Sequence, residues 1–417
     1  MQINVTLKNE TLTADTFKDL RNYLQKIDYN KIPWSDVKRV IIIDSRCSYN
    51  LEDIKKLLTH STMRNLTEIN IINPDERLCT INGLLYSRNK RRLYLCPRGI
   101  TGTLKIPDGT DTICEVSCSD CNFTKVIIPD SVKRVEGYAF HRAYGLEEID
   151  GGKNIERIMP YAFYGCAYIK NFPFSSKLKS IGNAAFTNTA LKEISLPDGL
   201  VSVGDQAFNT IRTENGYMVE VHKEDMYDVC IPDSLKYIGH SAFANASNVY
   251  TKRIDKKLIS ACERSGNLKH CHKCNTWRLK IGDRPEIILP KMISNIKAVM
   301  QKINVFFNEK NDIPPELYMY SPDSTGLSAA IEQCKLYPSA KLKSFITRNA
   351  KIIMLNIMLE ENGEQMMIDF IKSGVFTDAA LKKILSELEK SENPQNTAVL
   401  KAYILNTMNH KKKSFSL

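Results

Sequence analysis

Residues 131–140 read SVKRVEGYAF and residues 176–186 read SKLKSIGNAAF. Both phrases run from an apolar residue across two positions to Val or Ile, and then, four or five residues on, reach Ala-Phe. The Ala-Phe pair recurs at Ala139-Phe140, Ala162-Phe163, Ala185-Phe186, Ala207-Phe208 and Ala242-Phe243, in steps of 23, 23, 22 and 35 residues. One frame earlier, in ICEVSCSDC, Cys118 occupies the Phe position. A period of this length is the signature of stacked structural repeats.

A second ladder keeps the same step. Short apolar segments fall at Leu104–Ile106, Val126–Ile128, Ile149, Phe172–Phe174, Ile194–Leu196 and Val229–Ile231, and four of the six run directly into Pro-Asp. Alternation with period two predicts a short strand per coil, its first and third residues inward. Proline ends each strand because it has no N–H to pair. Stacked coils would then form a parallel sheet along one face. Phe140, Phe163, Phe186, Phe208 and Phe243 are expected as an inner aromatic spine, with Ala where backbones crowd. The outward middle residues Lys105, Ile127, Asp150, Ser195 and Cys230, with Pro173 between them, become the candidate binding face.

The segments KVIIPDSVKRVEGYAF, ERIMPYAFYGCAYIKNF, LKSIGNAAFTNTALKEISLPDGLVSVGDQAF and IPDSLKYIGHSAF closely resemble the BspA-like leucine-rich repeat family. The stretch INGLLYSRNKRRLYLCPRGITGTLKIPDG is similar to the hairpin-like lead-in of such repeats. The resemblance covers about residues 78–250. It implies a curved repeat solenoid with a parallel β-sheet face and a binding role, commonly at bacterial surfaces and sometimes as an adhesin.

Around that centre the chain divides into four expected parts. Residues 1–76 carry strand and helix signals (VKRVIIID, NLEDIKKLLTHS capped by Asn50, LTEINII) and read as an α/β N-terminal cap over the open end of the repeats. Residues 77–250 are the solenoid. It includes an insertion of about 13 residues within 209–228, where Asn215-Gly216 signals a hairpin. Residues 251–285 are a basic Cys/His connector. Residues 286–417 read as an α-helical domain, with Gly374 ending one helix and Thr377 capping the next; its short paired helices weakly resemble ankyrin-type repeats.

The 417 residues include twelve cysteines at irregular spacing, which suits reduced thiols better than a disulfide framework. There is no signal-peptide pattern, lipid-anchor motif or membrane-length apolar run, so the expected location is cytoplasmic, with the cell surface as the alternative the family implies. The net charge of +11 is uneven: residues 251–297 hold twelve Lys/Arg against four Asp/Glu, and RNKRRLYLCPR (88–98) adds five more cations. Acidic partners would be drawn to those two places.

Candidate chemistry is sparse. CERSGNLKHCHKC places Cys262, His270, Cys271 and Cys274 where a single zinc knuckle could form, against the alternative of a plain connector. With the local charge, and with Trp277 and Tyr250 available to stack on bases, this segment supports a zinc-containing nucleic-acid or regulatory reading. Phosphate loops, dinucleotide fingerprints, nucleophile elbows and H-E-x-x-H are absent. The leading expectation is a non-enzymatic scaffold that binds a protein partner through the solenoid face, with no cofactor unless the structural zinc is real and no membrane insertion. The alternatives are the zinc-containing protein centred on 251–297 and a surface adhesin.

Overall fold

The computed structural model describes residues 5–26, 37–44, 50–59, 63–210, 213–214, 217–218, 225–263, 275–308, 313–321, 323–358, 363–390 and 397–414. The chain divides into two compact units, residues 1–212 with 229–243, and residues 213–228 with 244–417.

The first unit opens with a four-stranded sheet. Val5–Lys8 and Thr11–Thr16 form a hairpin, and Arg39–Asp44 and Glu68–Asn73 add to it in parallel. Helices α1 (Phe17–Lys26) and α2 (Leu51–Leu58) supply Phe17, Leu20, Ile54 and Leu58 to its core. α2 starts at Asn50, whose side chain accepts from the Asp53 N–H at 2.8 Å, which satisfies one of the donors a helix start leaves free. Leu66, Ile69 and Ile71 are buried and share their core with Leu78, Leu85 and Leu95. The N-terminal sheet and the beginning of the repeats are thus one hydrophobic body.

A meander of Leu78–Ile81, Leu84–Ser87 and Arg92–Leu95 leads into the repeats, its last strand pairing in parallel with Thr112–Ile113. From there each coil contributes to two strand rows. In the first row, Thr103–Lys105, Lys125–Ile128 and Glu148–Gly151 pair in parallel. The second row continues through Thr112–Ile113, Arg134–Val135, Arg157–Ile158, Ser180–Ile181, Ser202–Val203 and Tyr237–Ile238, all parallel. The sequence reading expected one strand per coil and missed this second row. Its strands are two residues long, too short for an alternation to show.

One expected strand is missing. Phe172-Pro173-Phe174 forms no ladder, because Pro173 has no N–H and the residues around it turn to other work. The rings of Phe172 and Phe174 reach inward and meet the spine, Phe172 lying 5.1 Å from Phe163 and Phe174 5.5 Å from Phe186. The first row resumes at Glu193–Ser195, where Leu196 N–H donates to Cys230 O at 3.4 Å. The Pro-Asp segments repeat one turn: the carbonyls of Pro107, Pro129, Pro197 and Pro232 each accept from the N–H three residues on.

The spine is present as a stack. Phe140–Phe163, Phe163–Phe186, Phe186–Phe208 and Phe208–Phe243 lie 4.9, 5.2, 5.2 and 5.7 Å apart, within 12° of parallel. Phe163 is fully buried, and Cys118 is fully buried at the equivalent position.

In the second unit, Thr213–Glu214 and Tyr217–Met218 pair antiparallel, as the hairpin signal anticipated, and the intervening Asn215-Gly216 lies outside the described residues. Ala246–Thr251, Thr276–Ile281 and Ile287–Pro290 form a mixed sheet. Around it come α3 (Lys256–Cys262), α4 (Ile296–Asn308), α5 (Asp323–Leu336), α6 (Ala340–Ile357), α7 (Gly363–Lys372), α8 (Asp378–Glu389) and α9 (Ala398–Ser414). α6 packs on α5, α7 and α8, and α9 on α7 and α8. Gly374 follows α7 at φ +72° and Thr377 caps α8 by accepting from Ala380 N–H. The sequence reading missed α5, whose small and polar residues (DSTGLSAAIEQCKL) show no clear apolar stripe.

Phe163→Ala should cost about 3–5 kcal/mol, the usual penalty for truncating a buried aromatic ring. Urea unfolding followed by circular dichroism measures it, and a loss below about 1 kcal/mol would show that the ring stack is not the core of the repeats.

Candidate functional site

Each spine residue is preceded, two positions earlier, by a residue in the left-handed backbone region: Val116, Tyr138, Tyr161, Ala184, Gln206 and Ser241, with φ between 51° and 60°. None is Gly or Asn, the residues that tolerate this conformation most easily. A β-branched or bulky residue there costs energy and persists only where its surroundings over-determine it. Here the next coil does so. The N–H of Val116, Tyr138, Tyr161, Ala184 and Gln206 donates to Gly137, Pro160, Asn183, Asp205 and His240 carbonyls respectively, at 2.8–3.2 Å.

The left-handed turn throws two tyrosines outward. Tyr138 is 38% exposed and Tyr161 is half-buried, and their rings stack at 4.7 Å with 7° between planes. Three residues on, His141 and Tyr164 stack at 5.5 Å. Tyr138 meets His141 edge-on at 5.5 Å, and Tyr161 lies 5.9 Å from Tyr164. Four rings therefore form a two-by-two patch at the surface, while the phenylalanines of the same turns lie in the core. Burial, and then the Arg142 guanidinium, hold His141 below the ordinary imidazole range, which favours the neutral ring. Sequence reasoning missed this patch. Its signal is the recurrence of an aromatic two positions before the spine in successive coils, Tyr138 and Tyr161.

The residues of the expected binding face do point outward. Lys105, Asp150, Ser195 and Cys230 are exposed and Ile127 is half-buried, with Lys105, Ile127 and Asp150 side by side in register. Across this surface Lys125 pairs with Glu148 and reaches Asp150 at 4.0 Å. Proximity to Glu148 raises the Lys125 ammonium above its ordinary value. Beyond Asp150 the row is interrupted at Pro173.

The Cys/His segment looks different. Cys262 ends α3 and is fully buried, and burial pushes its thiol up to about 12. A zinc ligand is a thiolate, so this environment opposes the form that would bind metal. His270, Cys271 and Cys274 lie outside the described residues, and no group of three or more metal-ligating side chains occurs among the described ones. Of the two aromatics set aside for base stacking, Tyr250 is exposed but Trp277 is buried, its indole N–H donating to Pro290 O at 3.2 Å. The expectation that Trp277 stacks on bases is thus overturned: the ring is core. Nearby cations are also engaged. Arg278 and Lys280 both pair with Glu286, and Lys291 is buried with its ammonium donating to Ala246 O.

A cavity of about 310 Å³ lies over this sheet, bordered by Asn248, Thr276, Arg278 and Glu332. Glu332 accepts from the Thr276 hydroxyl at 3.0 Å, but desolvation dominates and raises its carboxyl above the usual range.

The parallel short strands, the 22- or 23-residue period and the internal ring stack define a leucine-rich repeat protein. Residues 99–214 and 222–283 match the BspA type leucine-rich repeat region in six copies. Among solved structures it is similar to the pneumococcal vaccine antigen PcpA (19% identical, covering 44% of this chain and 48% of that one, TM-score 0.31). It is similar also to a leucine rich cell surface protein from Faecalibacterium prausnitzii (18%, 57% and 52%, TM-score 0.29). A third is a leucine-rich repeat protein from Bacteroides ovatus (15%, 66% and 76%, TM-score 0.32). The chain spans about half the length of the first two. Comparison with curated proteins finds no match. The family match ends at residue 283 and lends no support to the ankyrin-type resemblance of the helices. No helix among the described residues is long and apolar enough to cross a membrane.

A carboxyl raised on folding binds its proton more tightly in the native state. Its stabilising contribution is complete below the unfolded value near 4.5 and is lost as pH rises through the folded value. Glu332→Gln, which keeps an oxygen for Thr276, should flatten the decline in urea midpoint of the second unit as pH rises from 4.5 upward. An unchanged slope would show that Glu332 does not titrate in that window.

Proposed function

We propose that the chain is a binding protein, acting as an interaction scaffold rather than an enzyme. Residues 77–250 would form a solenoid covered at its start by residues 1–76, and residues 286–417 would offer a second, helical surface. A protein partner docks on the four-ring patch of Tyr138, His141, Tyr161 and Tyr164, with the row Lys105, Ile127, Asp150, Ser195 and Cys230 as a further contact face.

The observation that carries this reading is the patch itself. Tyrosine is over-represented among the residues that dominate binding energy, because it buries a large rigid ring while keeping a polar tip. The rings are already stacked, so less side-chain freedom is lost on docking. The Faecalibacterium relative is named a cell surface protein; for this chain, labelling of intact cells decides which side of the membrane the patch faces.

A photo-crosslinking residue placed at Tyr144, exposed four residues after Phe140, should capture one discrete protein in native cells. The adduct should weaken at least tenfold when Tyr138 and Tyr161 are both changed to Ala. Adducts no stronger than those from an exposed control position such as Lys18, in α1, would refute the docking patch.

A further inference from the structure

The second strand row carries a ladder of its own on its outward side. In register, Arg92 neighbours Thr112, Thr112 neighbours Arg134, Arg134 neighbours Arg157, and Arg157 neighbours Ser180. A cavity of about 380 Å³ opens over the first four of these positions and is also bordered by Lys133 and Glu156. Not all of this charge is free. Arg91 pairs with Asp111 at 2.8 Å, and Arg92 with Glu136 at 3.0 Å. Arg134 and Arg157, both exposed, make no ion pair among the described residues.

Adjacent parallel strands place these two guanidinium-bearing residues about 4.8 Å apart at the backbone, an arrangement in which like charges repel. Nothing in the fold demands it. The inward residues Val135 and Ile158 hold the strands, and the equivalent outward positions in the next two coils are Ser180 and Ser202. Two arginines side by side, neither paired with a carboxylate, suit an anion that brings about two charges. Their planar forks match a tetrahedral oxyanion edge to edge. A phosphate monoester carries about −1.5 to −2 at neutral pH, whereas a single carboxylate carries one charge and would leave one fork unmatched.

The rest of the cavity narrows the choice further. Glu156 and Thr112 offer hydrogen-bond acceptors beside the arginines, and the Glu156 carboxylate makes no ion pair among the described residues. A hydroxyl-bearing group would donate to the Glu156 carboxylate. We propose that this cavity binds a phosphate monoester on a hydroxyl-rich small molecule, a sugar phosphate. Arg134 and Arg157 clamp the phosphate, Lys133 adds long-range attraction, and Glu156 accepts from a hydroxyl. The site is independent of the aromatic patch.

Isothermal titration of the full chain with glucose 6-phosphate, mannose 6-phosphate and glycerol 3-phosphate, against glucose and inorganic phosphate, tests this. At least one phosphate monoester should bind in a saturable, salt-sensitive manner, and glucose should not. Arg134→Gln and Arg157→Gln should each weaken binding about tenfold with unchanged thermal melting, since both side chains are exposed. Glu156→Gln should narrow the preference for the sugar phosphate over inorganic phosphate. No monoester binding, affinity indifferent to both arginine changes, or binding of a polyphosphate chain alone would each overturn the proposal.

Discussion

Everything in the repeat region depends on one junction. The N–H of each spine residue donates to the alanine carbonyl of the next coil: Cys118 to Ala139, Phe140 to Ala162, Phe163 to Ala185, Phe186 to Ala207 and Phe208 to Ala242, at 2.7–3.0 Å. The same residues put their rings in the stack. One dipeptide therefore supplies both the backbone bond that sets the coil spacing and the apolar surface that fills the coil. Alanine is needed because neighbouring backbones come close there: Ala139, Ala162, Ala185, Ala207 and Ala242 are all fully buried. Crowding at the neighbouring turn is tighter still. A Cβ on Gly239 would fall 2.3 Å from the Asp205 nitrogen, so only glycine fits.

That junction explains what could be read from the chain without a structure. A residue that must be small and a residue that must be a large ring, one after the other, leave a two-letter trace in every coil. The Pro-Asp turns leave another for the same reason, since a missing N–H and a fixed φ are properties of the residue itself. Features set by neighbours leave little trace. The second strand row is paired only through backbone atoms of adjacent coils, two residues at a time. The left-handed positions accept Val, Tyr, Ala and Gln because hydrogen bonds to the next coil, and not side-chain preference, hold them there.

The same distinction separates apparent from available charge. Residues 251–297 look like a basic surface when cations are counted along the chain. In the fold, Arg278 and Lys280 share Glu286, and Lys291 is enclosed with its ammonium on a backbone carbonyl. Trp277 and Cys262, the residues that drew attention to nucleic acid and zinc, serve as core. At Arg134 and Arg157 the reverse holds: neither stands out along the chain, and only the register brings them together.

A repeat fold tends to turn any outward substitution into a column, because equivalent positions of successive coils lie on adjacent strands. Most outward columns here are mixed, as Lys105, Ile127 and Asp150 show. In two places like residues with large side chains fall side by side: the tyrosines at 138 and 161, and the arginines at 134 and 157, occupy the same two coils. Within each coil the tyrosine lies four positions after the arginine, so the coils that carry the paired cations also carry the stacked rings. Rows whose composition drifts from coil to coil serve the stack, which asks only that they be outward and soluble. Rows that repeat a costly choice, such as a like-charge pair, ask for a reason outside the stack. In this chain the paired arginines and the stacked tyrosines both fall in the coils around Phe140 and Phe163, so the proposed cavity and the proposed docking patch share one pair of coils.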